Sequence, residues 1–268
     1  MRLRTAASSA LAAIAAVLLS GGLALIAPAA IASPQDFTFT SMSADFYLGR
    51  DAGGNATLRT VETLVAVFPD FDQNHGIERA IPLKYGDAQL DLTVRSITNA
   101  SGSALPYSRN DSDGFAVLRI GSADSYVHGT TTYRIEYTQR NVVRSFEDTA
   151  SDEFYWDVNG TGWPQPFGSV TATVHLGDGI ASSLTGNIAC YQGYEGSTDR
   201  CVITRNGDTI TAAASELSAY QNMTIAIGFD QSTFVDPPLL KNNWLFAILP
   251  WVLLALTSAA FLYALGLR

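Results

Sequence analysis

Three groups of side chains in this 268-residue chain have types and spacing that could do chemistry. Asp70-Phe71-Asp72-Gln73-Asn74 opens like a calcium loop, in which oxygen ligands at alternate positions wrap one cation. Such a loop also needs Gly at its sixth position and Glu at its twelfth. Those positions hold His75 and Ile81 here, so a polar turn is expected and no metal. Tyr155, Trp156 and Trp163 could offer ring faces to a sugar. Large aromatic side chains more commonly fill cores, with their polar tips bonded, and core packing is the expectation. Cys190 and Cys201, the only two cysteines, are too far apart for a CxxC redox centre. Turn-forming Glu195-Gly196-Ser197 lies between them, so they are expected on the two arms of one hairpin, joined by a disulfide.

Motifs for catalysis are missing. His75, His128 and His175 are scattered, with no HExxH spacing and no GxSxG nucleophile elbow. No pattern requires a cofactor. The expectation is a non-catalytic protein.

The elements that must carry these residues follow from apolar periodicity. Met42, Ala44, Phe46 and Leu48 alternate, then Asp51-Ala52-Gly53-Gly54-Asn55 marks a turn. Period-two patterning recurs at Leu58–Phe68, Leu90-Leu92-Val94, Phe115–Ile120, Thr131–Tyr137, Val170–Leu176 and Met223–Phe229. These runs predict a mainly β protein: one antiparallel, Ig-like β-sandwich of about nine to eleven strands. Phe71 to Tyr85 departs from the pattern, with Gly76 to Pro82 read as a folded loop with an apolar anchor, and Asp152 to Phe167 departs from it as well.

Both ends are apolar. Arg2 and Arg4 precede an uncharged run that closes on Ala30-Ile31-Ala32, which reads as a signal peptide over 1–32 or as an uncleaved signal anchor. Residues 242–267 hold no charge, and about 20 apolar residues suffice to cross a bilayer. A single transmembrane helix there, with the lipid bilayer as partner, would leave 33–240 as an extracytoplasmic domain at the plasma membrane and the C-terminus in the cytoplasm. That middle part holds all 25 acidic residues. It also holds 12 of the 16 basic ones, the others being Arg2, Arg4, Lys241 and Arg268. A net charge near −13 argues against nucleic acid as a partner.

Gly76-Ile77-Glu78-Arg79-Ala80-Ile81-Pro82 resembles the glycine–isoleucine–x–arginine–x–isoleucine–proline signature of a family of bacterial membrane proteins labelled domain of unknown function 2207. Gly129-Thr130-Thr131-Thr132-Tyr133-Arg134-Ile135-Glu136-Tyr137 followed by Glu153-Phe154-Tyr155-Trp156-Asp157-Val158-Asn159-Gly160-Thr161-Gly162-Trp163 resembles its second signature. The likeness runs over roughly residues 40 to 235. It implies an extracellular β-rich domain followed by membrane helices, and it brings no catalytic residues. Similar proteins often continue into further membrane helices, so a chain stopping at Arg268 reads as a short or truncated member. The signature positions of Arg79 and Glu153 suggest a buried pair that pins the two irregular segments together. Two functions fit: an envelope module that binds a protein or a wall polymer, or the ectodomain subunit of a membrane transport or sensing assembly. A carbohydrate-binding module is a further alternative.

Overall fold

The computed structural model describes residues 36–146, 150–236, 248–254 and 257. In chain order the strands are β1 (Thr38–Arg50), β2 (Ala56–Phe68), β3 (Ile77–Pro82), β4 (Lys84–Tyr85), β5 (Ala88–Gln89), β6 (Thr93–Thr98), β7 (Tyr107–Ser112) and β8 (Phe115–Ile120). There follow β9 (Gly129–Arg140), β10 (Arg144–Phe146), β11 (Ser151–Asp157), β12 (Phe167–Leu176), β13 (Leu184–Gly193), β14 (Val202–Asn206), β15 (Thr209–Leu217) and β16 (Asn222–Asp230). Seven strands form one sheet in the order β14-β15-β12-β1-β2-β9-β6, and four form a second, β10-β11-β16-β13. A three-stranded sheet, β3-β8-β7, and the pair β4-β5 complete the set. Neighbours run antiparallel except β1 and β12, which pair in parallel from Phe39↔Phe167 to Leu48↔Leu176.

Alternation sets which face is buried. Met42, Ala44, Phe46 and Leu48 of β1, Tyr133, Ile135 and Tyr137 of β9, and Val170, Ala172 and Val174 of β12 all point into one core. Phe154 and Trp156 of β11 and Met223, Ile225, Ile227 and Phe229 of β16 enter the same cluster from the four-stranded sheet. The rings of Phe46 and Phe154 meet edge to face at 6.2 Å. Every residue of β16 from Asn222 to Phe229 is buried, as a central strand should be.

Two sequence expectations are corrected. Leu90 to Val94 is not one strand: Asp91 takes a positive φ of 47°, so β5 ends at Gln89 and β6 begins at Thr93. Gly76 to Pro82 is no loop, because Ile77–Pro82 is β3, paired along its whole length with β8.

Beyond β16 the chain is strapped to the domain. Phe234 packs on Phe229 at 5.3 Å and its N–H donates to the buried Asp152 carboxylate at 2.9 Å. Val235 N–H donates to Gly54 O at 2.9 Å, and Arg50 Nη1 to Thr233 O at 3.0 Å. The chain therefore departs at the β1–β2 turn. The 13 residues of β1 put its two ends about 40 Å apart. Residues 248–254 are helical, and no helix among the described residues is long and apolar enough to cross a membrane. The rest of the expected 242–267 span, and the expected signal peptide, lie outside the described residues.

A candidate ligand groove built on Arg79

Arg79 projects from β3 into the core and is 3% exposed. All five of its N–H groups find acceptors. Nε donates to Glu62 Oε2 at 2.9 Å and Nη2 to Glu62 Oε1 at 2.6 Å. Nη2 also reaches Val158 O at 3.4 Å, while Nη1 donates to Ala80 O at 3.2 Å and Asn159 O at 2.9 Å. Tyr137 Oη donates to Glu62 Oε1 at 2.7 Å. Burial alone would lower the Arg79 pKa, but the Glu62 carboxylate beside it holds the guanidinium well above the usual arginine range. Burial, then the same carboxylate, pushes the Tyr137 hydroxyl well up. With every donor used, Arg79 is a structural hub and not a receptor for an outside anion.

The partner of Arg79 is thus Glu62 on β2, not Glu153 as its signature position suggested. Glu153 sits on β11, opposite Arg144. A sequence signal for Glu62 exists: it shares inward parity with Leu58, Thr60, Leu64, Ala66 and Phe68, so it is a charge on a buried face that must find a partner.

The hub joins the two signatures. Asn159 O accepts from Arg79 and also from Trp163 Nε1 at 2.7 Å. The Asn159 side chain ties to β16, accepting from Met223 N at 2.9 Å and donating to Gln221 O at 3.0 Å. Gly160 has φ +81°, and a Cβ there would stand 3.3 Å from Arg79 Nη1. Gly76 opens the first signature for a similar reason. Its φ is +137°, and any Cβ would collide with the carbonyl oxygen of Ile120 across the β3–β8 pair.

Between the three-stranded sheet and the 159–165 segment lies a groove of about 1220 Å³. Glu78, Ala80, Phe115, Val117 and Arg119 line one wall, and Trp163 and Tyr220 the other. Tyr107, Phe115 and Tyr220 are exposed along it. Its charged side chains are Glu78, Arg79 and Arg119; Arg119 Nε donates to Glu78 Oε1 at 2.5 Å, and Arg79 is bound to Glu62. Phe37, directly before β1, and Asn74, in the segment that follows β2, also line it. The groove is therefore at the opposite end of β1 from the strap to Gly54.

The residues singled out by sequence divide as follows. Tyr155 and Trp156 occupy opposite faces of β11: Tyr155 is exposed, while Trp156 is buried and stacks near Phe154. Trp163 is buried against Phe39 and Phe167. The three do not make one exposed platform, and Trp163 alone touches the groove. Asp70 and Asp72 are exposed and Asn74 is buried. Asp72 Oδ1 pairs with His128 Nε2 at 3.0 Å, and Asn74 O accepts from Val127 N at 2.8 Å. Among the described residues no group of three or more His, Cys, Asp or Glu side chains is placed to hold a metal. Cys190 and Cys201 are disulfide-bonded, with Cα atoms 5.1 Å apart. Cys190 lies on β13 of the four-stranded sheet and Cys201 directly precedes β14 of the seven-stranded one. The bond thus clamps the two sheets at one edge, reinforced by Cys201 N–H to Cys190 O at 3.1 Å.

Residues 41–229 match the family model described as the N-terminal domain of a predicted membrane protein, domain of unknown function DUF2207. The chain belongs to this family. No curated protein matches it. Among solved structures, leukotriene A4 hydrolase from Saccharomyces cerevisiae is similar at 11% identity and a TM-score of 0.46, over 72% of this chain and 29% of that one. An M1 zinc metallopeptidase from Deinococcus radiodurans is similar at 12% identity and a TM-score of 0.38, over 70% of this chain and 42% of that one. The chain spans less than half of either peptidase, and no chemistry transfers at that distance.

Proposed function

We propose that the protein is a non-catalytic binding module of the bacterial cell envelope. In this reading an Ig-like β-sandwich over 33–240 lies outside the plasma membrane, residues 242–267 anchor it as a single helix, and the groove receives an envelope partner. One observation carries the reading: the groove, walled in part by residues of both family signatures, opens at the end of the domain remote from the strap that leads to the apolar segment. A ligand site presented away from its anchor can meet a partner without steric conflict with the bilayer. Support also comes from the family's description as a membrane protein and from the uncharged runs at both ends.

Two measurements test it. Protease added to intact spheroplasts should digest the domain, and full protection would overturn the topology. A photo-crosslinking residue at Thr161, in the groove, should form adducts in living cells that the same residue at exposed Thr211 on β15 does not. Equal labelling at both positions would remove the groove from the proposal.

A further inference from the structure

We infer that the groove binds a glycan strand, an uncharged run of sugar rings, with Tyr220 as a stacking residue held in place at a cost in backbone strain. This rests on the proposed binding role of the groove and names its ligand class.

Tyr220 is the observation that starts it. Its φ is +64°, the left-handed region that a bulky aromatic residue rarely enters, and it is the one aromatic among the described non-glycine residues with positive φ. Burial offers only partial compensation, because Tyr220 is 54% exposed. The surrounding loop enforces the conformation. Tyr220 N–H donates to Trp163 O at 2.7 Å, Gln221 N–H to Ser218 O at 3.0 Å, and Ser218 N–H to the Gln221 side chain at 2.9 Å. An over-determined outlier that presents a ring at the rim of a groove is the kind of strain that accompanies ligand contact. Glycine at this turn would relieve it.

Charge and hydrogen bonding select the ligand. The domain carries a net charge near −13 by the count above, yet each charged side chain of the groove is neutralised within the protein, by the pairs Glu78–Arg119 and Arg79–Glu62. The complementary occupant brings no net charge. An extended peptide added to the edge of β3 is opposed by the edge itself. Pro82 has no N–H, its carbonyl accepts Gln139 Nε2 at 2.7 Å, and the Ala80 carbonyl accepts Arg79. What remains open is ring faces, Tyr107, Phe115 and Tyr220, interspersed with neutral hydrogen-bonding groups such as Ser108 and Thr161. That combination suits pyranose rings, whose apolar faces stack on aromatic rings while their hydroxyls bond to the neutral groups.

The test is co-sedimentation of the detergent-solubilised full chain with purified peptidoglycan sacculi, alongside thermal melts. Wild type should pellet. Tyr220→Gly should melt no lower than wild type yet bind about tenfold more weakly, the loss of one stacking contact. Tyr107→Ala should weaken binding similarly, and Tyr155→Ala, on the exposed face of β11, should not. Undiminished pelleting of Tyr220→Gly would overturn the inference, as would a loss of binding that merely tracks a lower melting temperature. Failure of wild type to pellet, with crosslinks at Thr161 persisting, would overturn the glycan and leave the binding role standing. Failure of both sacculi and Thr161 crosslinks would overturn both.

Discussion

Arg79 and Glu62 meet through two parallel hydrogen bonds, at 2.9 and 2.6 Å, with side chains only 4% and 0% exposed. A buried ion pair gains little over an apolar pair of equal volume, but losing one member leaves a buried charge alone. Arg79→Met should therefore destabilise the chain by about 3–5 kcal/mol, while the double variant Arg79→Met/Glu62→Leu should recover most of that loss. Chemical denaturation of the four members of the cycle checks this. Additive single-variant effects would mean that the pair is not coupled.

The Cys190–Cys201 bond should matter chiefly to the junction of the two sheets. The sequence separation of 11 closes a short loop, for which chain entropy predicts about 3 kcal/mol. Cys190→Ala/Cys201→Ala should lower the melting temperature, and proteolysis should start in the 193–200 segment. Thiol reagents should label neither cysteine until a reductant is added.

Strands such as β1 and β12 were legible because one face is buried, which forces period-two alternation on Phe46, Leu48, Val170 and Val174. The break at Asp91 was not, because Leu90-Leu92-Val94 keeps its alternation through a residue at positive φ. Arg79 could be picked out from its signature, but its partner depended on topology: Glu62 lies 17 positions earlier on β2, in a different sheet from β3. The groove was the least legible feature. Its walls come from 76–80, 115–121, 159–165 and Tyr220, which no local pattern relates, and the φ of Tyr220 leaves no trace in residue type. Strand parity sends Tyr155 outward and Trp156 inward, so Tyr155, Trp156 and Trp163 form no single sugar platform.

Alkaline pH should unfold the protein through tyrosines that the fold keeps neutral. Burial, then the Glu153 carboxylate, pushes Tyr85 up to about 12. Burial alone raises Tyr133, and burial with Glu62 raises Tyr137. These folded pKa values exceed the unfolded value, so their contribution is complete below about pH 10 and is lost as pH rises toward the folded values. Stability should decline above about pH 10, by about 1.4 kcal/mol per pH unit for each tyrosine kept fully protonated. Of the 11 tyrosines, these three should show phenolate absorbance only together with loss of near-ultraviolet circular dichroism. Their ionisation in a still-folded chain would contradict the burial.

Trp156 and Trp163 are each 6% exposed, and Trp163 also spends its indole N–H on the Asn159 carbonyl that receives Arg79. Truncation of a buried tryptophan to alanine costs roughly 3–5 kcal/mol. Trp156→Ala should lose stability through the cavity alone. Trp163→Ala removes a donor as well, but leaves Asn159 O bonded to Arg79, so its polar loss should be small. The two variants should thus fall by similar amounts while differing in place: Trp156→Ala should raise hydrogen exchange in β11 and β16, and Trp163→Ala in residues 158–166 and at Tyr220. Tyr155→Ala, on the exposed face of β11, should shift stability by no more than about 0.5 kcal/mol. Hydrogen exchange read by mass spectrometry separates these outcomes. A Trp163→Ala chain as stable as wild type would mean that the 159–165 wall of the groove is held by Arg79 and Asn159 alone.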